Sequence, residues 1–180
     1  AQAAHGGGAP GRGKQQTEHD GGHRGGHRGL VALHGLGVLG GGRLGVQHGV
    51  RVVIQGEGDD VLTCSNDKTI RRWNSTTGVC LKIYRGHAGP VNSILYDRLT
   101  KRIFSASDDN TTVVWNDEAD EKIGTIVGDY EPVISIVQVN DTTFATIARD
   151  RGGIKLWNMT TLRRIKTIFT DEPVIALAVT

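Results

Sequence analysis

The sequence predicts an all-β fold: a tandem array of small four-stranded antiparallel sheets, preceded by a tail of different composition. Three observations predict it. Trp73, Trp115 and Trp157 are separated by 42 residues each time, and each is followed by Asn. Pro90-Val91, Pro132-Val133 and Pro173-Val174 recur at gaps of 42 and 41, and each opens an apolar run. Between these landmarks the chain reads as short β-rich runs parted by polar turns, with no long helical pattern. Two independent markers with one period indicate internal repetition. Proline lacks an N–H, so it is tolerated at the first residue of a strand but not inside one.

The elements follow in order. The first unit contains strand-like runs at Val50–Ile54, Val61–Ser65, Ile70–Trp73 and Val79–Tyr84. The middle unit has Val91–Tyr96, Arg102–Ala106, Thr112–Trp115 and Lys122–Val127, separated by an Asp-Arg-Leu-Thr-Lys turn, a turn at Ser107–Thr111 and an acidic loop. The third has Val133–Val139, Thr143–Ala148, Ile154–Trp157 and Arg163–Phe169. Four strands in ~40–45 residues is the size of one β-propeller blade. Such a sheet has two apolar faces, and neighbouring sheets must cover both. The expected organisation is a low-complexity, disordered Gly/His/Arg-rich tail at 1–49 and a propeller fragment at 50–180. Its blades fall at about 50–85, 86–127 and 128–170, and 171–180 holds only the first strand of a fourth, Val174–Val179. Three blades and one strand do not close a ring of ~4–8 blades. The remaining blades are therefore expected from further sequence or from another chain.

Composition separates tail from repeats. Residues 1–50 hold 17 of the 26 glycines and six of the seven histidines, and no aromatic, Ile, Ser, Asn or Cys. The tail carries a formal +3 and the rest −1, which excludes a basic folded domain. Cys64 and Cys80 are too few for a disulfide framework and read as reduced thiols of an intracellular protein. No apolar segment follows a basic start, so no secretory signal is visible. Leu30–Val50 carries Arg43, His34, His48 and many glycines, which makes a poor membrane span. The expected location is cytoplasmic or nuclear.

The runs Thr63-Cys-Ser-Asn-Asp67-Lys-Thr-Ile-Arg-Arg-Trp73-Asn and Ser105-Ala-Ser-Asp-Asp109-Asn-Thr-Thr-Val-Val-Trp115-Asn resemble the WD-repeat signature, as does Gly86-His87. The resemblance covers about residues 50–180. It implies a structural chain of four side chains, which the middle unit matches fully with Trp115, Ser105, His87 and Asp109. Donors and acceptors alternate along it: indole to hydroxyl, hydroxyl to one ring nitrogen, the other ring N–H to carboxylate. The first unit has Trp73, Thr63 and Asp67, but no histidine at the matching upstream place; His48 is out of register. The third has Trp157, Thr146 and Asp150, with Asp129 in place of the histidine. Two facing carboxylates repel unless a cation intervenes or one is protonated, so the third blade is expected to be the least regular.

Other patterns compete for a functional reading. Ser105, His87 and Asp109 spell a nucleophilic triad in composition, yet Ser105 lies in an apolar strand run and not on a sharp Gly-flanked elbow. Gly35-Leu-Gly37-Val-Leu-Gly40 matches a dinucleotide fingerprint, but its helix would contain Gly40, Gly41, Gly42, Gly45 and Gly49, each costing ~1 kcal/mol relative to Ala. His19, His23 and His27 share a spacing of four in a segment too rich in glycine to hold a helical metal face. Gly-His-Arg-Gly repeats at 22–29 are compatible with weak, salt-sensitive RNA binding, without aromatics for stacking. The sequence therefore predicts no enzyme, no cofactor and no metal site.

By resemblance to WD-repeat proteins, one face is built from the turn before each conserved Asp and from the residue before each Pro-Val. Here these are Asn66, Asp108 and Arg149 in the turns and Gly89, Glu131 and Glu172 before the prolines, with Lys68, Asn110 and Arg151 beside them. The reading is a non-catalytic protein-interaction scaffold, a subunit or adaptor of a larger complex. Its partners would be proteins or peptides, with basic groups favoured by the acidity at Asp108, Glu131 and Glu172. An RNA-associated protein with a basic tail is the alternative, and a nucleotide-binding enzyme using Gly35, Gly37 and Gly40 a remote third.

Overall fold

A computed structural model describes residues 47, 49–127, 130–149, 153–172 and 174. Among the described residues the chain forms twelve strands and no helix. The first sheet comprises β1 (Val50–Gln55), β2 (Asp60–Ser65), β3 (Thr69–Asn74) and β4 (Cys80–Arg85). The second comprises β5 (Val91–Asp97), β6 (Arg102–Ser107), β7 (Thr111–Asn116) and β8 (Glu121–Val127). The third comprises β9 (Val133–Asn140), β10 (Thr143–Ala148), β11 (Ile154–Asn158) and β12 (Arg164–Ile168). Each sheet is an antiparallel meander in sequence order. Each strand expected in the three units is present, mostly with ends shifted by a residue. Residues 175–179 of the strand expected at Val174–Val179 and the glycine and histidine motifs of the tail lie outside the described residues.

Short polar turns explain the meander. In the β2–β3 turn the Asp67 carboxylate accepts the Thr69 backbone N–H at 3.0 Å, and Asp109 does the same for Thr111 at 3.1 Å in the β6–β7 turn. Lys68 and Asn110 then take left-handed conformations, with φ of 70° and 67°. Asn tolerates this region better than Lys, whose Cβ crowds the carbonyl. Register shifts at Arg72/Trp73, Val114/Trp115 and Leu156/Trp157 place the same irregularity before each indole. Each sheet has a second shift near the start of its first strand, and the third has one more, at Thr143/Phe144.

The sheets stack through unlike faces. Leu62, Cys64, Ile70 and Tyr84 of the first pack on Ile103, Val113 and Trp115 of the second. Phe104, Ala106, Val114 and Ile126 of the second pack on Ile136, Phe144 and Trp157 of the third. Tyr84 meets the Trp115 ring edge-on at 5.9 Å, and Phe104 lies 4.9 Å from Phe144. Such aromatic pairs add to the burial of apolar area that dominates the stability. Trp115 and Trp157 are buried by the sheet before them, whereas Trp73 is only half-buried. The arrangement is a partial β-propeller.

Candidate interaction face

The geometry of the Trp115 chain is unbroken. Trp115 Nε1–H donates to Ser105 Oγ at 2.8 Å, His87 Nε2 lies 2.8 Å from the same oxygen, and His87 Nδ1 lies 2.8 Å from Asp109 Oδ2. Asp109 also accepts the Ala88 backbone N–H at 2.8 Å. With Nδ1–H donated to the carboxylate, Nε2 is left as acceptor for the hydroxyl. Burial pushes the His87 pKa below its ordinary value, opposed by the neighbouring Asp109 carboxylate. Burial would raise Asp109, but hydrogen bonds from Thr111 and His87 outweigh it and hold the carboxyl low. The triad-like set is thus satisfied inside a sheet boundary. Ser105 is fully buried, its hydroxyl oxygen held by the indole and the imidazole.

In the first sheet an amide replaces the imidazole. Trp73 Nε1–H donates to Thr63 Oγ1 at 2.8 Å, and Thr63 Oγ1–H donates to Gln47 Oε1. Gln47 Nε2 in turn donates to Asp67 Oδ1 at 3.3 Å and Thr69 Oγ1 at 2.9 Å. A neutral side-chain amide presents one acceptor and a donor group, as the neutral imidazole does. The sequence reading missed Gln47 because it sought a histidine 18 residues before the hydroxyl, the spacing of His87 and Ser105. Gln47 stands 16 before Thr63, and β1 is one residue shorter than β5. In the third sheet Trp157 Nε1–H donates to Thr146 Oγ1 at 2.8 Å. Asp129 and Asp150 lie outside the described residues.

One end of the sheets gathers the turn residues. The backbone N–H groups of Asn66, Asp108 and Arg149 donate to the carbonyls of Gly49, Pro90 and Pro132, at 3.0, 2.9 and 2.9 Å. The same bond in each sheet clamps the turn to the lead-in of the first strand, setting loop residues on a rigid base. Lys68, Glu131, Arg149 and Glu172 are exposed there, and Asn110 Nδ2–H donates to the Tyr130 carbonyl at 3.2 Å. Arg151 lies outside the described residues. Gly89 has a local steric role: a Cβ there would come within 2.8 Å of the Asp109 backbone nitrogen.

Asp108, expected to lend acidity to this face, has partners within the protein. It accepts from Asn92 Nδ2–H at 2.8 Å and lies 3.7 Å from Arg149 and 3.9 Å from Arg51. Arg51 belongs to the first sheet and Arg149 to the turn of the third, so this carboxylate ties all three together. Its charge is answered inside the protein, which leaves Glu131 and Glu172 against Lys68 on the exposed rim. Sequence reasoning also passed over Tyr130, which is 96% exposed beside Glu131. An apolar ring with a polar tip beside charged loops is a type of residue that anchors protein contacts.

Comparison with known proteins agrees with the geometry. Residues 78–116 match the family "WD domain, G-beta repeat". Over this stretch the chain is similar to a WD repeat. The matched unit starts ahead of β4 in the first sheet and ends with β7 in the second, so the sequence repeat and the folded sheet are out of phase by one strand. Among its relatives, the chain is 32% identical over 97 residues to Lissencephaly-1 homolog 1 of Paramecium tetraurelia, covering 54% of this chain and 24% of that protein. It is 37% identical over 115 residues to an F-box protein of Saccharomyces cerevisiae, covering 59% and 18%. It is 30% identical over 101 residues to the pre-mRNA-splicing factor cwf17 of Schizosaccharomyces pombe, covering 55% and 29%. The chain thus spans less than a third of the length of each of these relatives. The solved structure of U3-55K superposes with a TM-score of 0.64 at 17% identity, over 75% of this chain and 42% of that one, and speaks for the fold alone.

Proposed function

We propose that this chain is a non-catalytic protein-interaction scaffold, a subunit or adaptor that binds partners through the loop face around Asn66, Lys68, Gly89, Asp108, Asn110, Glu131, Arg149, Arg151 and Glu172. One observation carries the reading. The groups that could do chemistry, Ser105, His87 and Asp109, are spent on holding a sheet boundary, while the exposed side chains sit on loops clamped to rigid strands. Two of the relatives are named as an F-box protein and a splicing factor, which supports a place in larger assemblies. The partner surface is a protein or peptide of mixed charge, since Asp108 is already paired and the rim carries both signs. Further blades, from additional sequence or another chain, would cover the outer sheets. A cytoplasmic or nuclear location fits this role; no helix among the described residues is long and apolar enough to cross a membrane.

Site-specific photo-crosslinking tests it. A benzophenone side chain placed at Glu131 or Glu172 should capture a discrete partner from cells. The same group at Asp59 or Glu118, in turns at the opposite end of the sheets, should not. Equal capture from both ends would remove the assignment of the face. RNA association through the tail is the second reading; unchanged RNA retention after deletion of residues 1–49 would exclude it.

A further inference from the structure

The two sheet boundaries share a plan but differ in chemistry at one corner. At the first boundary Asp117, in the turn after β7, is buried against the first sheet. Arg72 Nη1–H donates to Asp117 Oδ2 at 2.6 Å, and the Tyr84 hydroxyl donates to Asp117 Oδ1. Lys82 donates to the Asp117 carbonyl and lies 3.3 Å from Asp120, and Arg72 also meets Asp60 at 2.7 Å. Glu57 of the first sheet receives the Tyr96 hydroxyl at 2.8 Å and the Lys101 ammonium from the second. At the second boundary the strand registers put Val114 where Arg72 stood, Gly124 where Lys82 stood and Ile126 where Tyr84 stood. Opposite them, the residue two beyond the indole is Met159 instead of Asp117, and it is buried with Leu162 in one apolar cluster.

Tandem sheets with alike indole faces have a specific hazard: a sheet can dock on the wrong neighbour, in its own chain or in another copy. The corners discriminate. The third sheet set against the first would place Met159 over Arg72 and Tyr84, leaving the guanidinium with Asp60 alone and the buried Tyr84 hydroxyl without its acceptor. The apolar corner of the second sheet set against Asp117 would bury a carboxylate without donors. One mispairing leaves a buried hydroxyl without its acceptor and the other a buried carboxylate without its donors, whereas both native pairings avoid these penalties. We infer that the Arg72–Tyr84–Asp117 corner is a registry key, which fixes the second sheet as the neighbour of the first against the apolar key of Val114, Ile126 and Met159.

The test uses the full 180-residue chain, refolded from denaturant and separated by size. Arg72→Val/Tyr84→Ile/Asp117→Met gives both boundaries the same apolar corner. Strand content by circular dichroism should persist, while exchanged oligomers should rise several-fold over the unmodified chain. A wild-type oligomer distribution overturns the inference. Should the triple variant fail to fold, the charge exchange decides. In an Asp60→Asn background, which removes the second carboxylate beside position 72, Arg72→Asp and Asp117→Arg singly should each lower the folded-to-unfolded ratio on the order of a hundredfold and broaden the oligomer distribution. The pair together should recover at least about tenfold of that ratio and restore the narrow distribution. Purely additive losses, or a distribution that never responds, overturn it.

Discussion

Gln47 receives the Thr63 hydroxyl in the first sheet as His87 receives the Ser105 hydroxyl in the second, and both then reach an aspartate. The protein thus contains a non-titrating version of its own histidine site.

His87→Gln should therefore retain the fold and lose a pH dependence. His87 has a folded pKa below its ordinary 6.5. The unfolded chain then binds more protons, so the stability from neutral His87 is full above 6.5 and is lost as pH falls through and below that value. Asp109, held below 3.8, adds a second loss under more acid conditions. Urea titrations at about pH 8 and about pH 5 should show a drop for the unmodified chain and a smaller one for His87→Gln. His87→Ala should cost about 1–3 kcal/mol at the higher pH, because Ser105 and Asp109 lose a buried partner.

The tryptophans should be unequal. Trp115→Phe removes an N–H from a buried hydroxyl under a covering sheet and should cost about 1–3 kcal/mol. Trp73→Phe, at a half-buried face, should cost less than half as much. Chemical denaturation of the two variants in parallel checks the order.

Gly89→Ala should destabilise strongly, because the new Cβ meets backbone at 2.8 Å and backbone cannot swing away. Glu131→Ala, at the matching place in the third sheet, should stay within about 0.5 kcal/mol as an exposed surface change. Similar melting temperatures for both would show that the lead-in of β5 is looser than its geometry.

The thiols should be separable. Cys64 is fully buried, and burial pushes its pKa up to about 12, so it should be inert in the native state. Cys80, partly exposed on β4, should react with a thiol reagent. One equivalent in the folded chain and two in denaturant is the expected count.

The repeat and its strands were legible because indoles and prolines occupy positions that local rules constrain: a strand start for Pro90 and Pro132, a fixed strand site for Trp73, Trp115 and Trp157. Two features were not. Gln47 escaped because an amide is an unremarkable residue in sequence, and a shortened lead-in moved it out of step with His87. The Asp117 corner escaped because Arg72, Tyr84 and Asp117 meet across a boundary between sheets, and only Asp117's apolar replacement by Met159, 42 residues on, hints that the place is special. The partners of Asp108 escaped for the same reason: its arginines come from two other sheets.

The most direct measurement is hydrogen exchange at the three indole N–H groups, followed by NMR. Stacked sheets with each indole donating to the hydroxyl of a buried residue predict three slow signals, with the buried Trp115 and Trp157 slower than the half-buried Trp73. Exchange of all three within the dead time, as for indoles in solvent, would contradict the account.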